Sequence, residues 1–340
     1  MKYTNTTNIP LPLAIWLASD SYMYAKTANE ISATTLMKSP RYIIATRRAM
    51  FPEQFKSSLK LEPELLRTLL LEDISNKIAS RMGTAIHSAI DQAITGNHVN
   101  ALTDLGYEAN VINKILINPE PDKVNKESIT FYTENRMYKD ILNFSISGQY
   151  DVVINGELHD IKTTSTFTYT NGLKDKDYII QGSIYKWLNP ELVTGSNIVI
   201  NFLFTDWSKN YALSREDYPK CRALGKSYEL WSLDKTEAYV KDKLNTLNQY
   251  WEAPLEEIPC CTEDQLYSSK PVYKYYKGGY AEGKRSTKNF DTHAEASLYK
   301  GEQGNVGEII VNKGTPFYCP CCQLSHQSSI ENLTTTLEII

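Results

Sequence analysis

No large excess of charge of one sign marks this sequence: 36 Lys and Arg stand against 40 Asp and Glu, for a net charge of −4 over 340 residues. A blanket electrostatic grip on nucleic acid is thereby excluded, and any such contact must come from locally concentrated basic residues. There is also no apolar run of membrane-spanning length. Ile9 to Ala18 is the one N-terminal stretch that invites a targeting reading, but Pro10 and Pro12 interrupt it and no basic cluster precedes it. It is expected to be a first helix packed on the body. Cysteine is missing from the first 220 residues; the six are Cys221, Cys260, Cys261, Cys319, Cys321 and Cys322. A disulfide framework spanning the chain is therefore excluded, and a reducing, cytoplasmic setting is expected. Internal repeats, Gly/Ser linkers, sustained heptads and a helicase-type phosphate-binding loop are likewise lacking.

What is present is an ordinary globular balance, 41% hydrophobic and 22% charged, enough to bury a sizeable core. The composition changes after about residue 255. We therefore expect a main domain over 1–255 and a cysteine-containing, basic-aromatic accessory module with a tail over 256–340. Thr34 to Met50 reads as a helix, and Pro63 opens a helical region running to Ile94. Gly83 and His87, four apart, share a helical face. Gly96 to Lys126 reads as loop-rich. Ser128 to Tyr132, Asn143 to Ile154 and Glu157 to Thr163 read as strands, with Asn155-Gly156 as the strongest hairpin signal. Lys176 to Leu188 is expected to be a helix, Ser196 to Asp206 a strand and Glu229 to Tyr250 a helix. Central strands with flanking helices predict an α/β core with a mixed sheet.

The chemistry concentrates on both sides of that hairpin. Asp151 lies before the turn; Asp160 and Lys162 lie after it and, two apart on a strand, point to one side while Ile161 points into packing. Closely placed carboxylates suit hard divalent cations such as Mg²⁺ or Mn²⁺, and a lysine beside them can orient water and stabilise negative charge. The Ile161 backbone carbonyl is a further candidate ligand, and Glu134 is placed to support the site.

These motifs, in order, resemble the RecB-like branch of the PD-(D/E)XK nuclease superfamily. Gly83 to His87 is similar to its upstream histidine motif and Gly148 to Asp151 to its first acidic motif. Asp160 to Lys162 matches the acidic-lysine motif, and Gln181 to Tyr185 the downstream glutamine-tyrosine motif. The resemblance implies a restriction-endonuclease-like α/β fold that cleaves DNA with Mg²⁺ or Mn²⁺. Asp151, Asp160 and His87 would ligate metal, Lys162 would activate water, and Gln181 and Tyr185 would position the substrate strand or brace the site. The arrangement also resembles phage exonucleases, which implies a DNA exonuclease working in phage replication or recombination beside a protein partner, in the cytoplasm of an infected bacterium. The alternatives are a structure-selective endonuclease and a noncatalytic DNA-binding protein on a nuclease scaffold.

Two further groups are candidate contacts. Lys270, Lys274, Lys277, Lys284, Arg285 and Lys288 interleave with Tyr267, Tyr273, Tyr275, Tyr276 and Tyr280, a pattern suited to phosphate contact with base stacking. Arg41, Arg47 and Arg48 offer a second phosphate-contact patch. Cys260, Cys261, Cys319, Cys321 and Cys322 are candidate ligands of structural Zn²⁺, with His293 or His326 as substitutes. A metal-free cysteine cluster is the equal alternative. An iron–sulfur cluster, as some RecB-like relatives carry, fits less well without an N-terminal cysteine.

Overall fold

Side-chain caps set several helix starts, so these positions are local in origin. Ser39, followed by Pro40, accepts a hydrogen bond from the Tyr42 amide, and Ser232 accepts one from the Lys235 amide. Thr292 and Glu295 form a reciprocal capping box. The computed structural model describes residues 2–19, 25–262, 271–281, 283–312 and 319–323.

The chain opens with strand β1 (Tyr3–Thr4), helix α1 (Leu11–Ala18), β2 (Glu30–Ser32), α2 (Ala33–Leu36), α3 (Pro40–Met50), α4 (Pro63–Leu70), β3 (Glu72–Asp73) and the long α5 (Ile78–Asp104). Next come α6 (Ala109–Ile112), β4 (Ile115–Ile117), β5 (Ile129–Thr133), β6 (Arg136–Ile141), β7 (Phe144–Gln149), β8 (Val152–Ile154) and β9 (Glu157–Thr164). They are followed by α7 (Thr166–Thr170), α8 (Asp175–Leu188), β10 (Asn197–Phe204), α9 (Lys209–Ser214), β11 (Ala223–Glu229) and α10 (Leu233–Tyr250). The last described elements are β12 (Val272–Tyr276), β13 (Lys288–Phe290), α11 (His293–Glu302), β14 (Glu308–Asn312) and α12 (Pro320–Gln323). Among the described residues no helix is long and apolar enough to cross a membrane.

A six-stranded mixed sheet in the order β11-β10-β9-β8-β5-β4 forms the centre, with helices on its faces. Strand β9 runs parallel to β10 and antiparallel to β8. Alternation along β10 buries Ile198, Ile200, Phe202 and Phe204 on one face. Gly182 of α8 approaches Ile198 on that face, whereas Gly83 of α5 approaches Thr163, which lies on the other. A second sheet, β2-β7-β6, stands beside the first. Gly148 of β7 lets it press on α8: a Cβ there would lie 2.6 Å from Leu188 and 2.9 Å from the Tyr185 ring. The apolar core runs between these layers and includes fully buried Tyr150 and nearly buried Trp187.

Three expectations change. The segment Asn143 to Ile154 is not one strand: it breaks at Tyr150-Asp151, β7 pairing in the second sheet and β8 in the central one. The helix holding His87 continues ten residues beyond Ile94 to Asp104, so the interval from Gly96 is loop only in its later part. Finally, β6, β11 and β13 are strands that the apolar pattern did not mark. Their charged and polar side chains face solvent at sheet edges, which weakens the alternation that would reveal them.

Two glycines test the packing in opposite directions. Gly148→Val should cost about 1–3 kcal/mol by overpacking against Leu188 and Tyr185. Gly96→Ala, in α5 with nothing within 4 Å of the new Cβ, should stabilise by about 0.5–1 kcal/mol through helix propensity. Denaturant unfolding of both variants checks the pair.

Candidate functional site

The Asn155-Gly156 turn, with φ of 48° and 84°, has the left-handed pair that a two-residue hairpin requires. Its register pairs Ile154 with Glu157, Val153 with Leu158 and Val152 with His159. Asp151 and Asp160 are the next pair in that register. Asp151 stands just where the chain leaves the second sheet for the central one. One of its oxygens, Oδ2, accepts a hydrogen bond from the Ile161 amide at 2.6 Å, and Oδ1 meets His87 Nδ1 at 3.1 Å. The bond from Ile161 thus comes through its amide.

Glu134 stands at the corresponding crossing between β5 and β6, with a left-handed φ of 51°. Its amide donates to the Asp151 carbonyl at 3.2 Å, and its carboxylate accepts from the Gln149 side chain. One ligand atom each of His87, Glu134 and Asp151 lies within 4.8 Å of the others. Burial, then the charge of Asp151, pushes the Glu134 carboxyl above its usual range. A hydrogen bond to Asp151 raises the His87 imidazole against the opposing effect of burial. Two crowded carboxylates with an imidazole form a donor set that a hard divalent cation would satisfy.

Asp160 is not in that trio, although it was expected to share a metal with Asp151. It is 2% exposed on the core face of β9, and its Oδ2 lies 2.6 Å from Lys162 Nζ. Burial pushes the Asp160 carboxyl up; the Lys162 charge opposes this, and the charge of nearby Asp151 adds to it. For Lys162, burial favours the neutral amine, but the charge and hydrogen bond of Asp160 outweigh it and raise the ammonium. Asp160 and Lys162 therefore form a buried ion pair beside the trio, with Lys162 kept cationic.

Gln181 and Tyr185 are brought together, Gln181 Nε2 donating to Tyr185 Oη at 2.7 Å with both side chains buried. The Tyr185 ring packs on Gly148, three residues before Asp151, so this pair lies behind the corner rather than in the open.

Asp91 and Tyr178 were missed. Asp91 follows His87 by one helical turn, its charge reaches Glu134, and its buried Oδ1 lacks a hydrogen-bond partner. The four-residue spacing from His87 was the available signal. Tyr178 of α8 is pushed up to about 12 by burial and then by the charge of Asp160; nothing local distinguishes it from other core tyrosines.

The arginine patch requires correction. Arg41, Arg47 and Arg48 are 3%, 5% and 4% exposed, so they are not a surface for phosphates. Arg41 donates to the carbonyls of Ile258 and Glu256, and Arg48 to those of Trp251 and Ala253. They join α3 to the segment after α10, where backbone carbonyls would otherwise lack donors.

The aromatic-basic segment divides. Tyr275 and Tyr276 are buried, with Tyr275 Oη donating to the Val306 carbonyl at 2.7 Å, so they cannot stack on bases. Tyr275 forms the core between the β13-β12-β14 sheet and α11 with Ala296 and Ile309, and Tyr276 packs on Tyr280. Tyr273 packs on His293, which removes His293 from the cysteines. Lys288 lies over Tyr299 at 4.4 Å. Lys274 is half-buried, Tyr280 is exposed, and Lys277, Lys284 and Arg285 are at the surface. Tyr267, Lys270 and His326 lie outside the described residues.

Manganese and pH give one coupled expectation. The folded His87 pKa lies above the ordinary 6.5, so its pairing with Asp151 stabilises metal-free protein fully below about pH 6.5. That contribution is lost as pH rises through the raised value. Manganese must displace the same proton, so its affinity should instead fall as pH drops through that value. At about a hundred times its Kd, Mn²⁺ should stabilise by about 2.7 kcal/mol, and Asp151→Asn should abolish the effect. Thermal unfolding across pH, with and without Mn²⁺, measures both.

No family model and no curated protein matches this chain. Among solved structures, the protein SSO0001 is similar at 16% identity with a TM-score of 0.36, over 69% of this chain and 81% of that one. A phage-related exonuclease from Haemophilus somnus 129PT is similar at 14% identity with a TM-score of 0.25, over 36% of this chain and 60% of its own. Likeness at this distance carries no function from one chain to another.

Proposed function

We propose that this chain is a metal-dependent deoxyribonuclease of the RecB-like PD-(D/E)XK type, on a restriction-endonuclease-like core, and that it digests DNA from its ends. The observation that carries the reading is the convergence of His87, Glu134 and Asp151 within 4.8 Å, beside the buried Asp160–Lys162 pair. The ordered motifs around them support it, as does the partnerless Asp91 oxygen on the same helix.

In this reading His87, Glu134 and Asp151 would hold Mg²⁺ or Mn²⁺, with Asp160 and the Ile161 carbonyl as further ligands. The ion supplies charge neutralisation at the attacked phosphate and a more acidic water. Lys162 is protonated by virtue of Asp160, so it does not take up a proton. It donates hydrogen bonds, orienting the attacking water and stabilising negative charge that grows on the phosphate. A quarter of its side chain is exposed while that of Asp160 is almost wholly buried, so the ammonium meets substrate and the carboxylate fixes the ammonium. Gln181 and Tyr185 brace the corner that carries Asp151. Lys277, Lys284 and Arg285 are the remaining surface cations suited to phosphate contact.

End-labelled linear DNA should be degraded with Mg²⁺ or Mn²⁺ and left intact with chelator. Asp160→Ala and Lys162→Ala should each slow cleavage by about 10²–10³-fold. Closed circles should survive; if they are cut, the activity is endonucleolytic. Folded, metal-supplied protein that cleaves none of several DNA forms would sink the enzyme reading altogether.

A further inference from the structure

Five cysteines far apart in sequence meet on one side of α3. Cys260 and Cys261 lie just beyond the turn that follows α10, and Cys319, Cys321 and Cys322 lie in or beside α12. The Sγ atoms of Cys261, Cys319 and Cys322 are all within 4.8 Å of one another. Cys322 Sγ also accepts the Cys261 amide at 3.4 Å, across 61 positions of sequence. Beside that trio, the Cys260 thiol hydrogen-bonds that of Cys322 and the Cys321 thiol that of Cys319. Cys319 and Cys322 are three apart and share a helical face, whereas Cys321 points about 100° away from Cys322. Cys321 is fully buried in the apolar cluster with Ala45 and Leu65.

We infer that Cys260, Cys261, Cys319 and Cys322 bind one zinc ion in a closed tetrathiolate site, stapling α12 to α3 and to the segment leaving α10. Soft thiolates in a tetrahedral set select zinc over the hard cations suited to the carboxylate site. Zn–S bonds of about 2.3 Å place thiolate sulfurs roughly 3.8 Å apart along a tetrahedral edge. The Cys261, Cys319 and Cys322 sulfurs, all within 4.8 Å of one another, fit round one ion, with Cys260 at the open corner. A cubic iron–sulfur cluster binds each thiolate to a different iron and holds the sulfurs farther apart.

The surroundings suit the charge of such a site. Four thiolates around Zn²⁺ carry two net negative charges. The buried Arg41 guanidinium brings a positive charge to the base of the cysteine-bearing segment, which its bonds to the Ile258 and Glu256 carbonyls hold in place. Ser39 Oγ accepts from Cys261 Sγ at 3.2 Å. With four protein ligands no coordination position is left for water, so the site is structural. The chain between its two halves carries β12, β13, α11 and β14, and the staple closes the base of that segment.

The site is independent of the nuclease reading, because zinc content is measured without DNA. The full chain, purified under reducing conditions without added metal, should contain about one zinc per chain by elemental analysis. Cys322→Ser and Cys261→Ser should lose at least nine-tenths of it, whereas Cys321→Ala and Cys221→Ser should keep it. Exchange of the wild-type protein into Co²⁺ should give intense visible bands of tetrahedral cobalt with sulfur-to-metal charge transfer, a readout that needs no variant to fold. Iron in place of zinc, a cooperatively unfolding wild-type protein without metal, or zinc retained by Cys322→Ser would overturn the assignment.

Discussion

The Asp151 carboxylate holds together a corner on which the candidate site depends. At Tyr150-Asp151 the chain passes from β7 in one sheet to β8 in another, and each oxygen of the side chain is tied to a different element. One takes the Ile161 amide of β9, the other meets His87 on α5. A break in a strand ordinarily leaves backbone groups and direction unspecified. Here the break is fixed by a charged acceptor, and the same acceptor gathers an imidazole and a second carboxylate around one point.

That arrangement explains the electrostatics nearby. Glu134 sits at the other crossing between the two sheets, so the fold brings two carboxylates together and burial raises the one at Glu134. Asp160, on the core face of β9 and opposite Ile200 of β10, is an acidic side chain in an apolar position. It is tolerable there because Lys162, two residues on and on the same face, supplies the compensating charge. The outcome is two carboxylates and an imidazole that could hold a metal ion, beside an ammonium whose charged form Asp160 favours.

The arginines of α3 are used for joining rather than for display. Arg41 and Arg48 bind four backbone carbonyls between Trp251 and Ile258, fastening the exit from α10 to α3. The cysteine cluster lies on the same seam. Guanidinium groups suit this work because their several donors, in a fixed plane, satisfy separate carbonyls at once. Tyr275 of β12 follows the same economy, filling the interior beneath a small sheet instead of facing solvent.

Much of the candidate site was legible because its parts are local or periodic. The Asn155-Gly156 turn sets the register of β8 on β9, and period-two geometry puts Asp160 and Lys162 on one face and Ile161 on the other. The helical spacing of Gln181 and Tyr185 fixes their mutual bond in the same way. What was not legible is long-range. Nothing local separates Arg41 from a surface arginine, since its burial depends on carbonyls more than 200 positions away. The break at Tyr150 is invisible for the same reason: each half is good strand sequence, and only the partners available to β7 and β8 divide them. Glu134 and Asp91 come to His87 and Asp151 through sheet crossings and helix placement. By itself, then, the sequence determined the turn, the strand faces and the spacing of the candidate side chains, because these follow from neighbours a few residues apart. Which carboxylates come together, which arginines are buried and which cysteines meet were decided only by tertiary structure, because each depends on contacts that exist once distant segments have packed.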